Sequence, residues 1–102
     1  MTREYLVVYE KGNKNWSAFS PDILGCGSLG DDLEETRANM REAVELYLDE
    51  TARVGETVPD ATTSVVDFKE FDPGHEMKQY VVEWLKVKLP EVKEFPVFAG
   101  AR

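Results

Sequence analysis

The sequence holds a single cysteine and a single histidine. One thiol cannot close an internal disulfide, so a small secreted scaffold stapled by bridges is excluded. One cysteine and one histidine cannot build a Cys/His zinc site within a chain. No apolar run approaches the ~20 residues that a helix needs to cross a bilayer. Met1-Thr2-Arg3-Glu4 lacks the basic-then-apolar layout of a signal peptide. The expected compartment is therefore the cytoplasm, with no membrane partner. Internal repeats and low-complexity tracts are also missing. What is present is 102 residues, 42% hydrophobic and 31% charged. That is enough for one modest core without staples.

Charge is present in excess and unevenly placed. Net charge is −8. Residues 31–50 carry eight acids against two bases, and residues 77–102 carry three acids against five bases. An acidic middle repels a duplex phosphate backbone. It attracts and steers a basic protein.

Hydrophobic spacing gives the elements. Tyr5-Leu6-Val7-Val8-Tyr9 is β-branched and aromatic, and Trp16-Ser17-Ala18-Phe19 follows after Gly12 and Asn13. This predicts a hairpin over residues 4–20 with a positive-φ turn. Gly25 to Leu29 suggests a short third strand. Asp31 with Glu34 reads as a capping box. A helix is expected over residues 32–53, burying Leu33, Met40, Val44, Tyr47 and Leu48 and ending at Gly55. Residues 64–68 suggest a fourth strand. Asp72-Pro73 reads as a second helix start, running to about Leu89, with Met77, Tyr80, Val81, Trp84 and Leu85 on one apolar face. That face would suit a dimer or tetramer. The expected fold is α+β, in the order β-β-β-α-β-α. It is a mixed sheet of three to four strands with a long helix on one face. Residues 1–72 would form the αβ domain. Residues 73–102 would form a helix and extended tail, packed on it or used for oligomerisation.

Within residues 5–61, Pro21-Asp22-Ile23-Leu24-Gly25-Cys26 precedes Ser28-Leu29-Gly30-Asp31-Asp32-Leu33-Glu34-Glu35, then Asn39 and Gly55-Glu56-Thr57-Val58-Pro59. In order and spacing this pattern resembles the HicB-like antitoxin family. It departs at Leu24, where proline is usual, and at Thr36-Arg37, where Ala-Leu is common. The resemblance implies a degenerate RNase H-like fold. It also implies binding to a small basic HicA-like toxin that cleaves mRNA, by covering the toxin's active face. Many members add a helix-turn-helix or ribbon-helix-helix that binds DNA. Here 43 residues follow Pro59, broken by Pro90 and Pro96, which leaves no room for a second helix and puts DNA binding in doubt, while the basic tail keeps it open.

Candidate chemistry is sparse. Glu10 and Asp67 would come together if the first and fourth strands paired, as in a residual metal-dependent ribonuclease. Solvated surface acids are the better account of them, and the acidic middle would repel RNA. His75 lacks a nucleophile beside it, and Cys26 lacks an activating base. No catalytic residue, metal site or cofactor is assigned, and the chain is expected not to be an enzyme. The toxin-contacting residues are expected to be Asp22, Glu42, Glu45 and Asp49. Met77, Tyr80, Val81, Trp84 and Leu85 are expected to form the oligomer interface. The alternative is an orphan regulatory domain that oligomerises without a toxin.

Overall fold

In a computed structural model describing residues 1–65 and 79–90, the first hydrophobic run becomes the centre of the molecule. Strand β1 (Thr2–Lys11) has a neighbour on each side. Strands β2 (Trp16–Phe19) and β3 (Gly27–Gly30) continue the sheet on one side, and β4 (Gln79–Lys88) lies on the other. The order is β3-β2-β1-β4, with every pair antiparallel. One helix, α1 (Leu33–Arg53), covers one face. The α+β class and the long helix on one face are as expected. The sheet is antiparallel throughout rather than mixed.

Residues alternate across the sheet. Tyr5, Val7 and Tyr9 point to the helix side, opposite Leu85, Glu83 and Val81 of β4. They bury against Met40, Val44 and Leu48 of α1. Leu6 and Val8 point to the other side, opposite Trp84 and Val82. All five residues from Tyr5 to Tyr9 are buried. A strand buried on both faces loses the polar–apolar alternation and reads as a continuous hydrophobic run.

The hairpin forms as expected, but no residue in its turn has positive φ. The Gly12 N–H donates to the Asn15 carbonyl at 2.8 Å and closes a longer loop. At the helix start, Asp32 is the cap, one residue later than expected. Its Oδ1 accepts the Glu35 N–H at 2.7 Å, and Glu35 Oε1 accepts the Asp31 N–H at 2.8 Å. At the other end Gly55 has φ 83°, the left-handed conformation that glycine adopts at low cost.

The helix is tied to both edges of the sheet. On the β3 side, Asn39 Nδ2 donates to the Leu29 carbonyl and Ser28 Oγ donates to the Thr36 carbonyl. Gly30 lies so close that an added Cβ would sit 2.5 Å from Thr36 Oγ1 and 2.6 Å from its nitrogen. On the β4 side, Arg37 holds Glu83 with two bonds, at 2.5 and 3.1 Å. Arg41 Nε donates to the Lys86 carbonyl, and the Lys88 N–H donates to Glu45.

The expected second helix is replaced by β4. Tyr80, Val81, Trp84 and Leu85 therefore do not share a face. Val81 and Leu85 turn toward α1, while Tyr80 and Trp84 turn to the opposite side. β-Branched and aromatic residues at 80–82, 84 and 87 favour the pleated conformation, and pairing with the whole length of β1 outweighs the helical spacing. Met77 lies outside the described residues. Ser64 and Val65 form no strand. Residues 66–68 of the expected fourth strand, His75 and the tail from 91 are also outside.

Two substitutions test this packing. Gly30→Ala forces Thr36 backbone away from β3, and should lower the free energy of unfolding by roughly 1–3 kcal/mol, read as a lower urea midpoint. An unchanged midpoint would contradict the close approach. Tyr9 carries a buried hydroxyl with no hydrogen-bond partner. Burial first, and then Glu83, raise its pKa from 10.0 to about 12. The folded state thus keeps the proton where an unfolded tyrosine loses it. Stability present below pH 10.0 should decline as pH rises toward about 12. Tyr9→Phe should remove that decline and, by deleting an unsatisfied group, raise neutral-pH stability by about 1 kcal/mol. Denaturant titrations across the alkaline range give both readings.

Candidate interaction surface

The helix presents three surfaces. Its inner stripe (Thr36, Met40, Val44, Leu48) is buried, and its flanks bind the sheet edges. The remaining ridge faces solvent. Glu35, Glu42 and Asp49 recur at intervals of seven residues, two helical turns, so their carboxylates follow one side at about 10 Å spacing. All three are exposed. Leu46, 69% exposed, lies on the same ridge and adds an apolar contact point. Neither Glu42 nor Asp49 makes a hydrogen bond or ion pair with the described residues. Their charge is therefore available to a partner.

The other two acids expected to contact a partner are hydrogen-bonded within the fold. Glu45 turns toward β4, where its Oε2 accepts the Lys88 N–H at 2.8 Å. Asp22 lies away from the helix, in the loop between β2 and β3. Its carboxylate accepts the N–H groups of Thr62 and Thr63, both at 2.9 Å, and both hydroxyls, at 3.1 and 2.6 Å. Burial raises the Asp22 pKa, but the Thr63 and Thr62 hydrogen bonds together outweigh it and leave it below its ordinary value. Asp22 thus braces the segment that follows α1. Pro59 is held in the same segment, its carbonyl accepting Tyr5 Oη at 2.6 Å and Arg3 at 2.8 Å. No sequence motif marks Thr62 and Thr63 as the partners of Asp22, since forty residues of folded chain separate them.

Of the groups weighed for catalysis, Glu10 and Cys26 lie among the described residues and His75 does not. Glu10 faces away from α1, opposite Tyr80, whose hydroxyl lies 3.3 Å from Glu10 Oε2. Asp67 lies outside the described residues. Burial pushes the Cys26 thiol up, away from the thiolate form. No helix among the described residues is long and apolar enough to cross a membrane.

The Asp22 brace makes a prediction. Asp22→Ala should lower neutral-pH stability by about 1–2 kcal/mol. A depressed carboxyl contributes above its unfolded pKa, and that contribution fades as pH falls through the folded one. The gap between wild type and variant should therefore close in acid. Parallel stability–pH curves would contradict this.

Known proteins place these features in context. The chain is 39% identical over 56 residues to a UPF0150 protein of Synechocystis, covering 54% of this chain and 71% of that one. A UPF0150 protein of Helicobacter pylori is 46% identical over 41 residues, covering 40% of this chain and 57% of its own length. Among solved structures, the N-terminal domain of the Burkholderia pseudomallei antitoxin HicB aligns with a TM-score of 0.59 at 23% identity, over 79% of this chain and 95% of that one. A toxin–antitoxin complex from Streptococcus pneumoniae aligns with a TM-score of 0.73 at 13% identity, over 95% and 82% respectively. At these identities the structural likeness establishes the fold. The model of the family described as the HicB-like antitoxin of bacterial toxin–antitoxin systems matches residues 5–96, and the chain belongs to that family.

Proposed function

We propose that this chain is an antitoxin that neutralises a small basic HicA-like toxin in the cytoplasm by covering its RNA-binding face, without breaking bonds itself. The observation that carries this reading is the exposed acidic ridge of α1. Glu42 and Asp49 project from the one face of the helix that no described element covers. Glu34, Glu35 and Asp32 at the helix start add to the same negative field. Such a field speeds encounter with a cationic partner and favours the matching orientation. Carboxylates spaced along a rigid helix offer a basic RNA-binding surface an alternative to phosphates. Leu46 within the row supplies an apolar contact, which charge steering alone lacks.

The fold supports occlusion in a second way. The helix is fixed at both flanks to the sheet, so the ridge is presented without much further ordering. Preorganisation lowers the entropy lost on binding. Asp22 and Glu45 act indirectly in this scheme. They hold the frame, while Glu42 and Asp49 meet the partner.

The test is calorimetry of the purified chain with a HicA-like toxin. Binding is expected at low salt, with an association rate that falls steeply as salt rises. The double reversal Glu42→Lys, Asp49→Lys should slow association by roughly tenfold or more while leaving the fold intact by circular dichroism. Absence of binding at low salt would overturn the proposal. Binding indifferent to both substitutions would remove the ridge from it.

A further inference from the structure

The turn of the β1–β2 hairpin encloses a cleft of about 110 Å³, lined by residues 11–16 and Asp31. None of Glu35, Glu42 and Asp49 of the acidic ridge lines it. Its shape is set by the fold. Lys11 and Trp16 stand directly opposite each other in the ladder. The Gly12 N–H donates to the Asn15 carbonyl at 2.8 Å and shuts the loop between them. A Cβ at Gly12 would lie 3.2 Å from that carbonyl oxygen, so the turn is tight. Trp16 is also paired with Gly30 on its other side and packs partly against the core, which holds it in place. A concave site with a fixed aromatic is preformed, and little further ordering is lost on binding.

The charge of the cleft runs against the rest of the molecule. The chain carries a net −8, yet residues 11–16 hold two lysines and no acid. Neither lysine forms an ion pair with a described residue, and the side-chain amides of Asn13 and Asn15 make no hydrogen bond with one. Two ammonium groups and two amides therefore offer donors to an anion. Asp31 is the one acid on the lining. The acids next to it are engaged in the helix cap, where Asp32 Oδ1 accepts the Glu35 N–H and Glu35 Oε1 accepts the Asp31 N–H. The helix N-terminus offsets their charge. The lining thus matches a ligand with three features: an anionic group for the lysines, a planar face for Trp16 and an N–H donor for Asp31. The cleft is well short of the roughly 300–1,000 Å³ of sites that engulf a ligand, so it grips one end of such a molecule and leaves the rest in solvent. We infer that the hairpin cleft binds a nucleoside monophosphate, with the phosphate between Lys11 and Lys14 and the base against Trp16. Guanine suits Asp31, because its ring N–H and amino group are adjacent donors that one carboxylate accepts together. This site takes a ligand opposite in charge to the partner of the ridge, and its occupancy needs no toxin.

Tryptophan fluorescence tests the site. Trp16 and Trp84 are the chain's two tryptophans, so Trp84→Phe leaves Trp16 as the sole reporter. Guanosine monophosphate should quench it saturably, with a midpoint at or below about 1 mM. Guanosine and inorganic phosphate should each bind roughly tenfold more weakly or worse, because each lacks one of the two grips. The double variant Lys11→Gln, Lys14→Gln should weaken the nucleotide by at least about tenfold with an unchanged circular dichroism spectrum, and added salt should weaken it too. An amide NMR titration of the wild type carries the same test if the Trp84 variant fails to fold. The nucleotide should shift the signals of Gly12 to Trp16 and the Trp16 indole, and leave those of Glu42 and Asp49 in place. No saturable response up to about 10 mM, inorganic phosphate binding as tightly as the nucleotide, or binding indifferent to the lysine substitutions would overturn the inference. Because no toxin enters these measurements, such a failure is distinct from a failure of toxin neutralisation.

Discussion

The structure depends on the burial of one strand. Tyr5 to Tyr9 are buried without a break, and the strand is paired on both sides. Five consecutive apolar residues cannot be satisfied by a hairpin, which covers one edge. The second edge draws in β4 from more than sixty residues away along the chain, and the inner face draws in α1. Each buried aliphatic or aromatic side chain contributes roughly 1.5–3 kcal/mol relative to exposure. Pairing across ten positions with β4 therefore dominates the choice of conformation for residues 79–88.

Once α1 lies over that strand, its side chains divide by direction. The stripe facing β1 is apolar. The residues beside it are long and polar, and they reach the sheet's edges, Asn39 to β3 and Arg37, Arg41 and Glu45 to β4. The side left over is acidic. Glu42 and Asp49, which bond to no described residue, add little to folding, because exposed charges on a helix interact weakly through water. Their value lies in the field outside the molecule. Asp22 shows the contrast. Four hydrogen bonds from two threonines fix it as a brace, and a carboxylate so occupied has few lone pairs left for a partner.

Much of this was legible in the residues. The hairpin, the glycine-terminated helix and its buried stripe follow from local pattern. The cap moved by one residue because Asp31 and Asp32 are adjacent and chemically equivalent, and it is Asp32 whose carboxylate accepts the Glu35 N–H. β4 was not legible. Tyr80, Val81, Trp84 and Leu85 satisfy a helical spacing, and Glu83 interrupts the alternation that marks a strand. The interruption has a cause that lies elsewhere in the chain: Arg37 neutralises Glu83 on the inner face. A charged residue at an inward position is invisible to periodicity until its partner is known. The bonds of Asp22 and Glu45 were hidden for the same reason, since each joins segments about forty residues apart.

The ridge and the exposed side chains of β4 differ in kind. The ridge acts at a distance through charge, and its pull weakens with salt over about 10 Å at moderate ionic strength. Val82 and Trp84 of β4, 40% and 49% exposed, offer apolar surface instead, which salt does not screen. One lies on the outer side of α1 and the other at the margin of the sheet beneath it. A basic partner drawn to the first meets Arg41, Lys86 and Lys88 at the second. Raising ionic strength should loosen a cationic partner on the ridge while leaving an apolar contact at Val82 and Trp84 in place, because only the former depends on charges acting through solvent.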